Sequence, residues 1–518
     1  MHVSLLPVRA SASLVLLLVA STACQNRAPA PKPTQATPST PGSTASTHLK
    51  NIYAADPSSL LSIMGNFSTG AALVDLDQDG WTDLVLANGN DVAPQGLVAF
   101  YNRKSPQQPF PGGATPDWYS AGYDYHGGLA VGDVDGDGLL DVAVAVPFDK
   151  LRKGGSGRVD VFFNRGGKLE PAPSYHTDSG FMPTGCAFAD VDGDGDLDLA
   201  VSVLSELSPD GLAIPGGFQR VYLNDGHALG NTPAWKSEAR LRATSVLGAD
   251  IDQDGRMDLA FAAPSMAIFY GQPRAATGVP LHGKPDWTSA SFNTPQSAFY
   301  GLDVGRVGSD STLALVGGLN CENASPCTNG FFLYQPAQGN QPVWSHAASN
   351  SSKVLLADVN ADGLLDLLTS QMGIQFSGAP VAFFQGTATS FENAPGYQGS
   401  LNVIGQQLAV GDLRNRAPCS RTASFQSDTP RSVVTLRERQ VFSVTSVKRD
   451  GVPVTRFAWA PGGNWISLDV PLGPGERLEV EYTTSQVIDV FTAVSTPNLS
   501  SFFLYSWYTP APGSCGNP

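Results

Sequence analysis

The sequence predicts an all-β chain folded as a seven-bladed β-propeller, and a repeated loop, its period and a recurring aromatic run carry that expectation. A nine-residue Asp/Gly motif occurs five times without gaps: DLDQDGWTD at Asp75, DVDGDGLLD at Asp133, DVDGDGDLD at Asp190, DIDQDGRMD at Asp250 and DVNADGLLD at Asp358. The first four begin roughly 55 to 60 residues apart, and the step from Asp250 to Asp358 is about twice that period. An apolar-aromatic run recurs once per unit: VAFYN at Val98, VDVFFN at Val159, RVYLN at Arg220, AIFYG at Ala267, FFLYQ at Phe331, VAFFQ at Val381 and FFLYS at Phe502. Such a period holds one four-stranded blade with its connections, and propellers have about four to eight blades.

Composition agrees. The 518 residues are 42% hydrophobic but only 15% charged, with 55 Gly and 39 Pro, which favours many short strands and turns. A net charge of −15 argues against nucleic acid as a partner, because phosphate neutralisation needs clustered Lys and Arg. Of the 46 acids 37 are Asp, the residue of turns and hard-cation sites.

Residues 1–23 read as a secretory signal: His2 and Arg9, an apolar run from Leu14 to Ala20, then the small residues Ser21-Thr22-Ala23. Cys24 after them resembles the lipidated cysteine of bacterial lipoproteins, although Ser21 stands where Leu is usual. Gln25 after it would imply outer-membrane sorting; plain secretion with a free Cys24, or an uncleaved anchor, are the alternatives. Residues 24–48 are rich in Pro, Ala, Thr and Ser and read as an extended stalk. The propeller is expected over 49–518, outside the cytoplasm, with the membrane reached only through a lipid anchor.

Each motif has oxygen-bearing side chains at loop positions one, three, five and nine, and Gly at six. The ligand sets are Asp75, Asp77, Asp79 and Asp83; Asp133, Asp135, Asp137 and Asp141; Asp190, Asp192, Asp194 and Asp198; Asp250, Asp252, Asp254 and Asp258; and Asp358, Asn360, Asp362 and Asp366. Backbone carbonyls at position seven (Trp81, Leu139, Asp196, Arg256, Leu364) are expected to add a ligand, with Asp196 as an extra acid. Alternate residues of a tight loop turn carboxylates inward, and Ca²⁺ takes six to eight oxygens. An EF-hand needs a Glu at position twelve and flanking helices. Here position twelve is Leu86, Val144, Val201, Phe261 or Thr369, and the flanks (Ala71 to Val74, Leu84 to Ala87) read as buried strands. About five structural Ca²⁺ ions are therefore expected.

Two units lack the full loop. Leu302-Asp303-Val304-Gly305 followed by Leu313 to Val316 keeps the strands without the acids, and Leu408 to Leu413 repeats the approach to a loop that then breaks off. The returning strand, Ile488 to Val494, arrives some seventy residues late, so a module is inserted at 416–487. Its alternation between Ser432 and Thr484 (Val441 to Val444, Trp465 to Leu468, Leu478 to Tyr482, with turns at Asp450-Gly451 and Pro474-Gly475) predicts a small β-sandwich-like unit. An elaborated hairpin without its own core is the alternative.

Cys321–Cys327 and Cys419–Cys515 are the expected disulfides of an exported chain, with Cys186 a buried free thiol. His126 and His176 precede loops and are read as packing residues, with a ligand-lining role as the alternative. Trp118, Trp235, Trp287 and Trp344 recur at one blade phase in inter-strand connections, where packing between blades outweighs a carbohydrate platform. No H-E-x-x-H pair, G-x-S-x-G elbow or phosphate-binding Gly-Lys loop occurs in the sequence.

The loops and period resemble FG-GAP/VCBS repeats, the calcium-binding blades of the propeller in integrin alpha subunits and many bacterial surface proteins, from about Ser58 to Trp507 except the insertion. That resemblance implies a binding or adhesion scaffold for a protein or glycan; the chain is expected to be monomeric and not an enzyme. A polysaccharide-degrading enzyme and a structural envelope lipoprotein are the alternatives.

Overall fold

The computed structural model describes residues 49, 52–53, 59–60, 67–90, 93–110, 115–147, 157–226, 228–274, 278–290, 297–309, 312–321, 329–373, 377–416, 418–495 and 501–506. Signal, stalk, Cys24, Cys327 and Cys515 lie outside them. The chain is all-β, and no helix among the described residues is long and apolar enough to cross a membrane.

Among the described residues seven antiparallel sheets share one plan. Their innermost strands are Ser68–Val74, Leu129–Gly132, Phe181–Ala189, Ser245–Ala249, Ala298–Gly305, Ser351–Ala357 and Gly405–Gly411. Each pairs with a second strand that begins where the loop ends: Val74 faces Asp83, Gly132 faces Asp141, and Gly411 faces Asp489 across the insertion. The second strands of the first two sheets, Asp83–Asn88 and Asp141–Val146, are buried throughout, which explains their unbroken apolar reading. The aromatic runs form the third strands. Neighbouring innermost strands touch in order around the molecule, and the seventh lies against the first, so the sheets are the blades of a closed propeller.

Ring closure uses the N-terminal side of the chain. Ser59–Leu60 is the outermost strand of the seventh sheet, pairing with Phe502–Leu504. Tyr53 next to it is buried, donates from its hydroxyl to the Ile488 carbonyl at 2.8 Å and packs edge-on to Phe383.

The four tryptophans correct their expected location: they open the outermost strands rather than lying in connections. Each meets an aromatic ring of the next blade: Trp118 on Phe162, Trp235 on Phe269, Trp287 on Tyr334, and Trp344 on Phe384, with centroids 5.2 to 5.9 Å apart. Their recurrence at one phase is packing between blades.

The insertion is two sheets, Pro418–Gln426, Arg477–Ser485, Ser443–Arg449 and Val452–Pro453 in one, and Arg431–Thr435, Trp465–Leu472 and Phe457–Ala458 in the other. A core of its own, including Val434, Leu436, Ile466, Leu468, Leu478 and Val480, lies between them, so it is a small sandwich and not an extended hairpin. The strand read at Val441 begins instead at Ser443, and Pro418–Gln426 went unread because its alternation is of polar residues.

Candidate metal centres on the loop face

The five acidic loops share a hydrogen-bond plan that follows from residue type. The position-one carboxylate accepts from the Gly N–H at position six: Asp75 from Gly80 at 2.9 Å, Asp133 from Gly138 at 2.9 Å, Asp190 from Gly195 at 2.8 Å, Asp250 from Gly255 at 3.1 Å and Asp358 from Gly363 at 2.9 Å. The position-five carboxylate accepts from the N–H of position seven, as in Asp79 with Trp81 and Asp362 with Leu364. These contacts fold the loop inward, and the Gly at position six takes φ between 86° and 89°, which a side chain would resist. Position four is left-handed as well, even where it is Gln78, Gln253 or Ala361.

The loops bring carboxylates together in four places. Asp75, Asp77 and Asp83 each offer an oxygen within 4.8 Å of the others, as do Asp133, Asp135 and Asp141; Asp190, Asp192 and Asp194; and Asp250, Asp252 and Asp254. Asp79 and Asp137 fall outside these triples and instead face cations, Lys104 at 2.9 Å and Arg165 at 2.9 Å. The sixth-blade loop assembles no such triple among the described residues: the Asn360 amide donates to Asp362 at 2.8 Å, and Gln385 approaches the same oxygen.

Position nine does more than ligation requires. Both oxygens of Asp83 accept backbone N–H groups, from Leu76 at 3.0 Å and Asn102 at 2.8 Å. Asp141 does the same with Val134 and Asn164, Asp198 with Val191 and Asn224, Asp258 with Ile251 and Gly271, and Asp366 with Val359 and Gly386. The residue therefore ties its loop to the end of the third strand. In the seventh blade Asp489 takes this place and pairs with Arg414 at 2.9 Å, a guanidinium where five blades have an acidic loop.

Burial governs the electrostatics. It pushes the carboxyls of Asp83, Asp141, Asp190, Asp250 and Asp358 up to about 7 and that of Asp192 up to about 6, with neighbouring carboxylates adding to the rise and backbone N–H donors opposing it. Asp133 Oδ1, Asp192 Oδ1 and Asp250 Oδ1 are buried oxygens with no hydrogen-bond partner. Carboxylates gathered in threes, with one buried acceptor lacking a donor in each of three of the triples, fit a hard divalent cation held chiefly by positions one and three.

Reading the loops alone missed the basic groups beside them. Arg165 reaches Asp135 at 2.5 Å, Arg456 of the insertion reaches Asp196 at 2.5 Å and Asp194 at 3.5 Å, and Arg431 stands 3.6 Å from Asp250. It missed a staple as well. Asn102, Asn164 and Asn224, which end the first three aromatic runs, each donate to a carbonyl in the preceding blade: Leu413 at 2.8 Å, Leu76 at 2.8 Å and Val134 at 2.7 Å. The signal was present, since Asn closes VAFYN, VDVFFN and RVYLN.

His126 is buried with Nδ1 2.5 Å from the Asn88 carbonyl, and His176 pairs with Asp160 at 3.0 Å. Cys186 is a buried free thiol, while Cys321 and Cys419 are buried and their expected partners fall outside the described residues.

Residues 75–144 and 149–201 match the FG-GAP-like repeat model, and 127–162 match the FG-GAP repeat model. No curated protein matches the chain. The matched segments carry the first three acidic loops and the strands around them, so the chain contains FG-GAP repeats on a β-propeller fold.

Proposed function

We propose that the chain is an exported, calcium-stabilised scaffold that binds a protein or glycan at a bacterial cell surface, anchored by a lipid on Cys24 and acting as a monomer. The observation that supports it most is the repeated cage: three carboxylates within ligand reach in four loops, three of the four cages with a buried oxygen that nothing else satisfies. When bound, Ca²⁺ supplies positive charge that carboxylates driven toward protonation by burial otherwise lack. The protein's own part is to hold Asp at positions one and three while the position-nine Asp ties the loop to its blade. Disulfides Cys321–Cys327 and Cys419–Cys515 belong to the same reading of an exported chain.

Each ion that binds only the folded state stabilises it by about 2.7 kcal/mol at a hundredfold excess over its Kd. Thermal melting of the chelator-treated protein with and without millimolar CaCl₂ is expected to show a rise of at least about 5 °C. An unchanged Tm would remove the metal from the reading. Glycan and surface-protein arrays probed in both states then test the binding role, and loss of array signal on chelation is the expected result.

A further inference from the structure

The innermost strands surround a cavity of about 530 Å³ on the propeller axis, within the range of small-molecule sites. Its wall includes the small or aliphatic residues Ala72, Ala130, Ala187, Leu247, Leu355 and Ala409, one from each of six blades. The seventh, Asp303, is already engaged: one oxygen accepts from Arg439 of the insertion and the other from the Leu356 N–H at 2.8 Å. The insertion also sets Gln440 against the Leu356 carbonyl at 2.7 Å and lines the cavity with Phe442 and Trp465. It is therefore a roof, pinned to the wall by a largely buried ion pair whose side chains are 13% and 7% exposed.

One cation in this chamber has no counterpart. Lys353, on the innermost strand of the sixth blade, lines the cavity with its stem beside Gly301, where a Cβ would stand 3.0 Å from Lys353 Cδ. Among the described residues no carboxylate or carbonyl pairs with its ammonium. We propose that the roofed central cavity binds a small amphipathic organic acid, whose anionic group pairs with Lys353 and whose apolar body lies along the aliphatic wall. A multiply charged inorganic anion suits the chamber poorly, because it offers one free cation while the carboxylates Asp75, Asp303 and Asp412 also line it. Desolvation by the same walls pushes the Lys353 ammonium down to about 8, so a bound anion restores the charge partner that burial removed. Asp75 of the first triple also lines the cavity, but the proposed contact is to Lys353 on the sixth blade, whose loop assembles no such triple among the described residues, so loss of calcium binding and loss of this site are read separately.

The test is fluorescence titration of the full chain with 1-anilinonaphthalene-8-sulfonate and with its uncharged relative N-phenyl-1-naphthylamine. Lys353→Met is expected to weaken the sulfonate at least about tenfold, the worth of one charge-assisted hydrogen bond, with the neutral probe unaffected and Lys353→Arg retaining the sulfonate. Lys353→Gln gives the same comparison if Lys353→Met does not fold, which far-ultraviolet circular dichroism reports. Failure of the sulfonate to bind the wild-type chain, or equal binding to the wild-type chain and Lys353→Met, overturns the proposal.

Discussion

Asn164 shows how much a single side chain holds in this protein. Its amide donates to Leu76 in the first blade at 2.8 Å and to Leu140 in its own loop at 3.2 Å, while its backbone N–H is bound by Asp141. Asn164→Ala strands two carbonyls that the packed blades shield, and is expected to cost about 1–3 kcal/mol in urea unfolding. His126 carries a pH effect of known sign. Burial holds its imidazole below the ordinary histidine range, and the Asn88 carbonyl, Asp124 and Asp160 oppose this while Arg158 adds to it. The unfolded chain therefore binds the extra proton first, so the native state loses stability as pH falls below about 6.5. His126→Gln removes that term: its stability difference from wild type, measured by urea unfolding at several pH values, should shift in the variant's favour as pH falls below about 6.5 and stay flat above about 7. Asp and Gly at fixed spacing announced the loops. The second of the paired N–H bonds at position nine was not legible, because it joins residues 13 to 26 positions apart that only strand pairing brings together.

At the scale of the element, the strands were readable because each is short, apolar and bounded by Gly or Asp, and the second strands are buried on both faces. What the local pattern could not contain is which strand completes the last blade. Ser59–Leu60 joins Phe502–Leu504, and Tyr53 beside it fills space among Phe383, Tyr397 and the Ile488 carbonyl. Tyr53→Ala is expected to cost about 3–5 kcal/mol, and Tyr53→Phe about 1 kcal/mol, in chemical denaturation. A larger penalty for the first than for the second separates lost packing from one lost hydrogen bond. The insertion shows the opposite balance. Its turns at Asp450 and Gly451 were visible, both with φ above zero, but its contact with Gly255 through the Ser432 and Val433 N–H groups joins distant segments.

Across the whole molecule, the ring places all acidic loops at one end of the innermost strands, and the insertion, which leaves from that same end, folds back over the third and fourth loops and the axis. The acidic motifs, their period and the seven aromatic runs were determined by the sequence alone, since each depends on residue type at short spacing and on the geometry of a tight turn or a buried strand. Closure of the ring by the N-terminal strand, the guanidinium groups set against the cages, and the roofed chamber with the unpaired Lys353 were decided only by the tertiary structure. Each arises where segments far apart in the chain are packed together, and no local preference of the backbone encodes that proximity.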